Sequence, residues 1–598
     1  MPKSFLKLLF FFFPIFFTLV IVAIFSLKQF SFYNTSTLIQ PYLSKNPPVQ
    51  AQSTYPECNQ GKITSPCQCG NKVYNAGFCC YHPNANSGIW FDPSYDGCPT
   101  GSFYFVDQDH PQASDEHPGT EDLPWKTINH AAEVLHAGDV VLVKEGIYIP
   151  EDSGHHYVPC IDVKHSGTQF LPIIIKAYPG HTVIINHPSG ATAAWTIGSS
   201  KDWVIIDGFQ GDFTAGFIGS SVEDPVAHGV VQNCNITRTI GNAIRFERAE
   251  KCMARNNIIK TNGDSTNTGS AYISYDTWDC ILENNFVRDS HVGIRDKDDG
   301  KRTVIRNNII SNCYHAILLN NQDQAEDIQV YKNLILNCRY GIVMQYNALR
   351  TLIYNNVFYK CSGYAIGQHA TNSLFKIWNN IFSNCNKAFG FPESELSSFL
   401  YSNYNNFHNY TRISDDCTTL ECWRFLSNFD RNSINYDPLF VNPEANDFHL
   451  TPTSPCLNAG IDRQDYDNDG NTTEPINMGA YITGNEIIGP IDLSQYIVEE
   501  EPLPTCASQN GVCCNENQIC QNGTFISSSD CGNLCCTGEC VSPSILGDLN
   551  QDNKVNSSDF QILIQKFKET QNIEIEDLNS DGIVDIKDIG ILMHYWTN

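Results

Sequence analysis

Positive charge is scarce in this sequence. Its 598 residues include 37 Lys and Arg against 65 Asp and Glu, which gives a net charge of -28. A surface this negative repels nucleic acids and anionic lipids, so nucleic acid is excluded as a partner. The sequence also has no phosphate-binding loop, nucleophile elbow, haem-attachment motif or HExxH zinc motif. Its excess of carboxylates favours cations as ligands, and calcium above all.

Cysteine, by contrast, is abundant and clustered. Of the 25 cysteines, six lie within residues 55–100 and eight within residues 506–543. Short segments with an even number of cysteines are typical of extracellular modules held by disulfides. Vicinal pairs such as Cys79-Cys80 and Cys513-Cys514 fit a zinc site poorly. We therefore predict two small disulfide-rich modules, and the spacing leaves their pairing open.

The amino terminus has the pattern of a signal or membrane anchor. Two lysines precede an apolar run over residues 8–27. An apolar helix of this length spans roughly 30 Å, the hydrocarbon thickness of a bilayer. The best cleavage pattern, Val49-Gln50-Ala51, lies far downstream of the run. We predict an uncleaved anchor over residues 1–30 and a linker over residues 31–54, which places the bulk of the protein outside the cell. A cleaved signal is the alternative.

The middle of the chain is built from a repeat of 22 to 28 residues. Each repeat carries an Asn pair, or a variant with one Asn replaced, and then an apolar residue. The second residues of these pairs are Asn235, Asn257, Asn285, Asn308, Asn333, Asn356, Asn380 and Asn406. Four successive repeats carry a cysteine five residues later, at Cys313, Cys338, Cys361 and Cys385.

This repeat predicts a β-solenoid. Short alternating segments rich in Val, Ile, Tyr and Phe indicate strands, and twenty-odd residues match one coil of three strands. Each strand would pair with its counterpart in the next coil, about 4.8 Å away. We predict an all-β chain with a right-handed parallel β-helix over residues 101–485, stacked Asn side chains and a column of buried free thiols. The ends of this region, such as residues 120–143 and 437–450, resemble secreted β-helix proteins of the pectate-lyase-like group. That fold also serves adhesins and tailspikes, so it leaves the chemistry open.

The alignment of the repeats predicts a polar stripe on the outside of the solenoid. If the apolar residue after Ala or Gly points inward, the residues one and three positions later point outward. One column then contributes Arg245 and Arg295. The other column contributes Glu247, Tyr275, Lys297, Asn320, Gln345 and His369. A stripe of this length, about 24 Å, accommodates several sugar units.

Two kinds of catalysis suit this stripe. For a uronate lyase, Lys297 beside Arg295 is the candidate base. Asp296, Asp298 and Asp299 are then candidates to hold a calcium ion that binds the substrate carboxylate, as in similar lyases.

For a glycoside hydrolase, Asp276 and Asp298 in adjacent coils would lie about 5 Å apart, near the separation found in retaining enzymes. Glu247 and His369 are further candidate acids. The charged run over residues 295–302 is equally compatible with a solvated turn.

Two related twelve-residue segments follow an acidic linker over residues 486–505 and the eight-cysteine module. Both segments carry oxygen-bearing side chains at positions 1, 3, 5, 9 and 12, and a carbonyl is available at position 7, as in an EF-hand-like calcium loop. The predicted Ca²⁺ ligands are Asp548, Asn550, Asp552, Lys554, Asn556, Asp559, Asp577, Asn579, Asp581, Ile583, Asp585 and Asp588.

Residues 544–598, with these two loops and one helix after each, resemble a dockerin. The resemblance implies folding on calcium and docking to a cohesin-like partner. Ser557-Ser558 match the polar pair that dockerins use for this contact, whereas Ile586-Lys587 depart from it. A further acidic loop, with Asp465, Asp467 and Asp469 before Gly470, is a third candidate calcium site.

Two functional hypotheses follow. The first is an extracellular protein that binds or degrades polysaccharide, as a uronate lyase or glycoside hydrolase, and is held in an assembly by its dockerin. The second is a non-catalytic cell-surface adhesin, which the predicted anchor favours.

Overall fold

The computed structural model describes residues 56–541 except 71, 262–268, 369–372, 468, 497–504, 516–517 and 529–530, together with Ser558 and Gln561. The predicted anchor and the predicted dockerin calcium ligands lie outside the described residues. The chain divides into two compact units, one of residues 57–498 and one of residues 1–56 with 499–598. Among the helices described, none has the length and apolar character needed to cross a membrane.

The larger unit is dominated by three sheets in which every strand is parallel to its neighbours in the next coil. The first sheet consists of Phe103–Val106, Val140–Val143, Ile173–Ala177, Val204–Asp207, Val230–Gln232, Met253–Arg255, Ile281–Glu283, Val304–Arg306, Gln329–Tyr331, Thr351–Tyr354, Phe375–Trp378 and Phe399–Asn403. The second sheet consists of Gly146–Tyr148, Val183–Ile185, Gln210–Gly211, Asn235–Arg238, Ile258–Thr261, Phe286–Arg288, Ile309–Ser311, Leu334–Leu336, Val357–Tyr359, Ile381–Ser383 and Asn406–His408. The third sheet consists of Ile161–Val163, Ile197–Ser199, Ala215–Ile218, Val226–Ala227, Ile244–Glu250, Ser270–Trp278, Val292–Lys297, His315–Glu326, Tyr340–Leu349, Tyr364–Gln368 and Lys387–Gly390. The prediction of a parallel β-helix is confirmed.

The Asn pairs form the turn between the first and second sheets. In the pairs from Asn256-Asn257 to Asn379-Asn380 the first residue is left-handed, as at Asn307 with φ 55°, a conformation that Asn tolerates well. The second residue of these pairs is buried, and its amide donates to the next one along the ladder. The prediction is wrong for Asn235, which is exposed and pairs with Ile258, because the left-handed residue there is Asn233 and Cys234 takes the ladder position. The Nδ2 atom of Asn285 lies 3.0 Å from Oδ1 of Asn308, and Nδ2 of Asn308 lies 3.0 Å from Oδ1 of Asn333. In the last coil the ladder continues through Asn405 rather than the predicted Asn406, after a register shift in the first sheet.

The interior of the solenoid is filled by stacked apolar side chains. Cys313, Cys338, Cys361 and Cys385 are all buried free thiols, which confirms the predicted column. The rings of Phe358 and Phe382 stack with their centroids 5.0 Å apart. Equivalent residues of successive coils therefore pack on one another, because the period places them at the same point of the coil.

Both ends of this core are covered by helices. Helix Ile128–Val134 begins after Thr127, whose hydroxyl accepts a hydrogen bond from the His130 amide, and it buries Ile128 and Ala131 in the main core. At the other end, helix Leu420–Ser427 buries Trp423, whose ring lies 5.1 Å from that of Phe389. The chain also forms short 3-10 helices at Glu393–Ser398, Pro443–Ala445, Leu493–Tyr496 and Ala507–Gln509.

The six-cysteine module packs on the outer face of the first sheet. Its strands are Gly61–Lys62, Cys67–Cys69, Lys72–Tyr74, Phe78–Cys80 and Ile89–Phe91. The predicted disulfides are present, as Cys58–Cys67, Cys69–Cys79 and Cys80–Cys98. Tyr95 of the module donates a hydrogen bond to Asp207 of the sheet, and Lys176 lies 2.7 Å from the same carboxylate. The Tyr95 hydrogen bond, made to a carboxylate that the sheet itself neutralises through Lys176, therefore links the module to the solenoid.

The segment after the last coil returns along the solenoid. It begins with a hairpin of Phe440–Asn442 and Asp447–Leu450. Residues 456–496, which we call the C-terminal strap, then follow the Asn turns backward. Backbone amides of Gly479 and Gly489 donate to the carbonyls of Asn379 and Asn307, both at 2.7 Å. The strap includes residues 486–496 of the predicted linker, and it reaches the six-cysteine module where Asn75 contacts the Gln495 carbonyl.

The eight-cysteine module belongs to the smaller unit. Its strands are Val512–Cys513, Ile519–Gln521, Phe525–Ser528, Gly532–Cys536 and Glu539–Val541. Its cysteines pair as Cys506–Cys535, Cys513–Cys531, Cys514–Cys540 and Cys520–Cys536. The prediction of disulfides rather than zinc is confirmed.

Candidate functional site

The third sheet carries the stripe that the repeats predict. Its pairing places Glu247 beside Tyr275, Tyr275 beside Lys297, Lys297 beside Asn320 and Asn320 beside Gln345 in successive coils. We call these five residues, with Arg245 and Arg295, the outer stripe. The remaining predicted member, His369, lies outside the described residues.

At the amino-terminal end of the outer stripe, Glu247 is held by two arginines. Arg245 Nη2 lies 2.5 Å from one of its carboxylate oxygens, and Arg248 Nη1 lies 2.9 Å from the other. The carboxylate is buried, with both oxygens engaged. Glu247 therefore suits the positioning of Arg245 better than the predicted role of a proton donor.

Lys297 stands in different surroundings. Its Nζ atom lies 4.7 Å from the ring centroid of Tyr275, and no carboxylate of the described chain lies within 4.0 Å of it. Arg295 points to the same side of its strand, and burial lowers the pKa of this guanidinium. The Nε atom of Arg295 is buried without a hydrogen-bond partner. The stripe thus holds an amine and a guanidinium that are both available to an anionic ligand.

Three acids lie at the turn that follows these strands. Asp276 and Asp298 are both left-handed turn residues, with φ 50° and 63°, and the Asp299 amide lies 3.4 Å from a carboxylate oxygen of Asp276. Burial raises the pKa of Asp276, and the charges of Asp298 and Asp299 raise it further. We call these three residues the acidic turn. Asp299 pairs with Lys301 at 2.9 Å, whereas Asp276 and Asp298 have no cationic side chain within 4.0 Å in the described chain, so a proton or a metal cation is favoured at these two carboxylates.

Asp296 is not part of this group, although the sequence grouped it with Asp298 and Asp299. Its side chain alternates to the inward face and is fully buried, where it accepts a hydrogen bond from the Ser274 hydroxyl. Its second oxygen has no hydrogen-bond partner. Burial raises the pKa of Asp296 from 3.8 to about 6. A side chain on Gly300 would collide with this carboxylate, which explains the glycine.

We expect Asp296→Asn to stabilise the protein at neutral pH. Because the folded state raises this pKa from 3.8 to about 6, it binds the proton more tightly than the unfolded state, and the unfolding free energy falls as pH rises through that range. Above the folded-state pKa, the buried charge of Asp296 lowers the unfolding free energy by about 3 kcal/mol. The neutral amide of asparagine removes this cost. Urea unfolding at about pH 7.5 and about pH 4 should show that the variant is more stable than the parent at the higher pH only.

Asp437→Asn, at an exposed carboxylate, is the matched control and should change the stability by less than about 0.5 kcal/mol at either pH. An Asp296→Asn variant that is less stable than the parent at neutral pH would show that the buried charge has a partner that compensates it.

The sequence did not predict a cavity beside Arg245. Its volume is about 600 Å³, and its lining includes His156, His187, Asp212, Arg238 and Asn242. Arg238 pairs with Asp212 at 2.6 Å, and burial lowers the pKa of His187. These residues come mainly from loops between the first coils of the solenoid. The Asn repeat does not extend to these loops, so the alignment of the repeats cannot predict where their side chains lie.

Beyond Lys297 the outer stripe becomes less polar. Asn320 donates to Gln345 at 2.7 Å, whereas the Oδ1 atom of Asn320 is buried without a hydrogen-bond partner. The neighbouring outward column continues as Leu318 and Val343, which are buried beneath a ladder of aromatic rings that includes Tyr364. The charged part of the stripe is therefore confined to the coils from Arg245 to Lys297.

Comparison with known families agrees with this architecture. Residues 222–386 and 271–421 match the family described as a right-handed beta helix region. Residues 546–596 match the dockerin type I domain. The chain thus contains a right-handed β-helix region and a segment that matches the type I dockerin domain. Both resemblances drawn from the sequence are confirmed.

Two curated relatives match part of this chain. It is 35% identical over 96 residues to the uncharacterized protein YwoF of Bacillus subtilis, covering 16% of this chain and 18% of the relative. It is 33% identical over 76 residues to pectate lyase PEL9 of Emericella nidulans, covering 13% of this chain and 17% of the relative. The chain thus spans less than a fifth of either relative.

Solved structures show similar folds at low identity. Pectate lyase Pel9A aligns with 64% of the β-helix dockerin protein and 96% of its own chain, at 13% identity and a TM-score of 0.45. A mannuronic acid specific polysaccharide family 6 lyase from human gut microbiota aligns with 53% of this chain and 76% of its own, at 12% identity and a TM-score of 0.38.

Proposed function

We propose that this protein is an extracellular polysaccharide lyase that acts on uronate-containing chains bound along the outer stripe. The observation that carries the proposal is the pairing of Lys297, which has no carboxylate within 4.0 Å in the described chain, with the half-buried Arg295 on one face. A base and a fixed cation on the same side of a sugar are the groups that β-elimination needs. The partial identity to a pectate lyase supports pectate-type substrates.

In the proposed reaction, the side-chain amine of Lys297 removes the proton from the carbon next to the uronate carboxylate. A carbon–carbon double bond forms as the bond to the leaving glycosidic oxygen breaks, and a proton from solvent completes that hydroxyl. Arg295 binds the uronate carboxylate, so its positive charge offsets the charge that develops in the transition state.

The acidic turn of Asp276, Asp298 and Asp299 offers the oxygen donors that calcium prefers. Burial raises the pKa of Asp276 and the charges of Asp298 and Asp299 raise it further, which fits a bound cation. Calcium there would neutralise the substrate carboxylate and make the adjacent proton more acidic. The residues of this chain would hold the ion, and Lys297 would move the proton.

Hydrolysis is a second candidate because of Asp276. Its raised pKa suits a proton donor, and Asp298 occupies the next coil, about 5 Å away by the strand spacing. That separation is near the one found in retaining glycosidases.

The dockerin supports docking to a cohesin-like partner. We propose that it binds calcium through its twelve predicted ligands and that the anchor over residues 1–30 holds the chain at the cell surface. The disulfides of the six-cysteine module support an extracellular location.

The test is an assay of the purified full chain with polygalacturonate, alginate and other polyuronates, read by the absorbance of the unsaturated product. We expect absorbance to rise with calcium and to stop on chelation. New reducing ends without that absorbance would support hydrolysis instead. Binding to the polysaccharide with neither signal would overturn catalysis and favour the adhesin.

A further inference from the structure

An acidic cluster in the C-terminal strap lies apart from the outer stripe. Asp462, Asp465 and Asp467 each bring a carboxylate oxygen to within 4.8 Å of the others. The sequence had predicted Asp465, Asp467 and Asp469 as the acids of this loop. The structure replaces exposed Asp469 with buried Asp462, which is supplied by the preceding turn.

Backbone amides donate hydrogen bonds to two of these carboxylates, but other carboxylate oxygens of the cluster remain without a hydrogen-bond partner. One oxygen of Asp462 accepts from the Tyr466 amide at 3.0 Å, and one oxygen of Asp465 accepts from the Gly470 amide at 3.1 Å. The second oxygen of Asp462 has no hydrogen-bond partner, although this residue is only 4% exposed. One oxygen of Asp467 is likewise buried without a partner. Unpaired carboxylate oxygens in such a place are costly unless a cation binds them.

Neighbouring cations do not fill this role. Lys332 Nζ donates to the Tyr466 carbonyl at 3.3 Å, and its ion-pair partner is Glu486, at 3.8 Å. The Arg463 side chain turns away, with its guanidinium 4.2 Å from the ring centroid of Tyr401. Of the cationic side chains described, none lies within 4.0 Å of the three carboxylates.

We propose that Asp462, Asp465 and Asp467 bind a calcium ion that fastens the strap to the solenoid. Carboxylate oxygens with nearby backbone carbonyls are the hard ligands calcium takes, and its flexible coordination suits an irregular loop. The absence of His and Cys from the described cluster disfavours zinc.

The location gives the ion a structural role. The residue before Asp462, Ile461, is bonded through both its amide and its carbonyl to Asn379 of the turn ladder, at 2.9 and 2.8 Å. Between the other two ligands, Tyr466 places its ring 4.8 Å from that of Tyr354 on the first sheet. The ion would therefore stabilise the loop through which the strap contacts two adjacent coils.

The experiment is calcium titration of the full chain after chelation, comparing the parent with Asp462→Asn and Asp467→Asn. The asparagine at 462 keeps the acceptor for the Tyr466 amide, so the loop can retain its turn. We expect each variant to bind one equivalent fewer than the parent. The dockerin and the acidic turn are the same in all chains, so the difference isolates this site.

Glu474→Gln is the matched control, since it removes one exposed negative charge from the same strap. It should bind as many calcium ions as the parent. Calcium should also raise the unfolding temperature of the solenoid less in Asp467→Asn than in Glu474→Gln. Equal stoichiometry in the parent and both aspartate variants would overturn the proposal and assign the cluster's charge balance to Lys332.

Discussion

Replacement of Lys297 by alanine is expected to abolish most of the proposed lyase activity. The variant loses the proposed base, while the packing around it changes little because the side chain is partly exposed. General-base catalysis contributes about 10²- to 10⁴-fold, so the rate of unsaturated product formation should fall by that factor. The absorbance assay measures it directly.

The matched control is Lys376→Ala, which removes an exposed lysine from the first sheet. It should keep the parent rate. If Lys297→Ala retains more than about a tenth of the activity, another base acts and Lys297 does not have the proposed role.

Replacement of Asn308 by alanine is expected to destabilise the solenoid strongly. Its amide donates to the carbonyls of Leu282 and Arg306, both at 2.9 Å, and its oxygen accepts from the backbone amide of Asn285 at 3.0 Å. Each buried group left without a partner costs about 1–3 kcal/mol, so the total should exceed about 3 kcal/mol. Urea unfolding followed by circular dichroism measures the change in midpoint.

Asn312→Ala is the control for this substitution. Asn312 is exposed, and its amide donates to Asp289 at 3.2 Å. Because Asn312 is left-handed with φ 54°, alanine there should cost about 1 kcal/mol, well below the effect expected for Asn308→Ala. Similar midpoints for the two variants would mean that the amide ladder does not hold the coils together.

The fold could be predicted because each repeat carries two local signals, one for a left-handed turn and one for a buried hydrogen bond to the next coil. The first Asn of a pair accepts a left-handed turn, as Asn284 does with φ 54°, and the second supplies a buried amide that bonds the next coil. The strand alternation then places Tyr275 and Lys297 outward. It also places Asp296 inward, which the grouping of Asp296 with its neighbours overlooked.

Other parts of the site depend on contacts that no repeat encodes. The cavity beside Arg245 is lined by loops that lie between coils, and Asp462 joins the acidic cluster only because the strap turns back on itself. The burial of Leu318 comes from side chains of neighbouring coils that cover an outward position. Disulfide pairing likewise requires coordinates, since the cysteine spacing permits many combinations.

The most direct test is a crystal structure of the full chain carrying Lys297→Ala, with a uronate oligosaccharide and calcium. We expect the sugar to lie along the outer stripe from Arg245 to Asn320, with a carboxylate bonded to Arg295 and facing the acidic turn. An oligosaccharide bound away from these residues, with the stripe left to solvent, would contradict the proposed site.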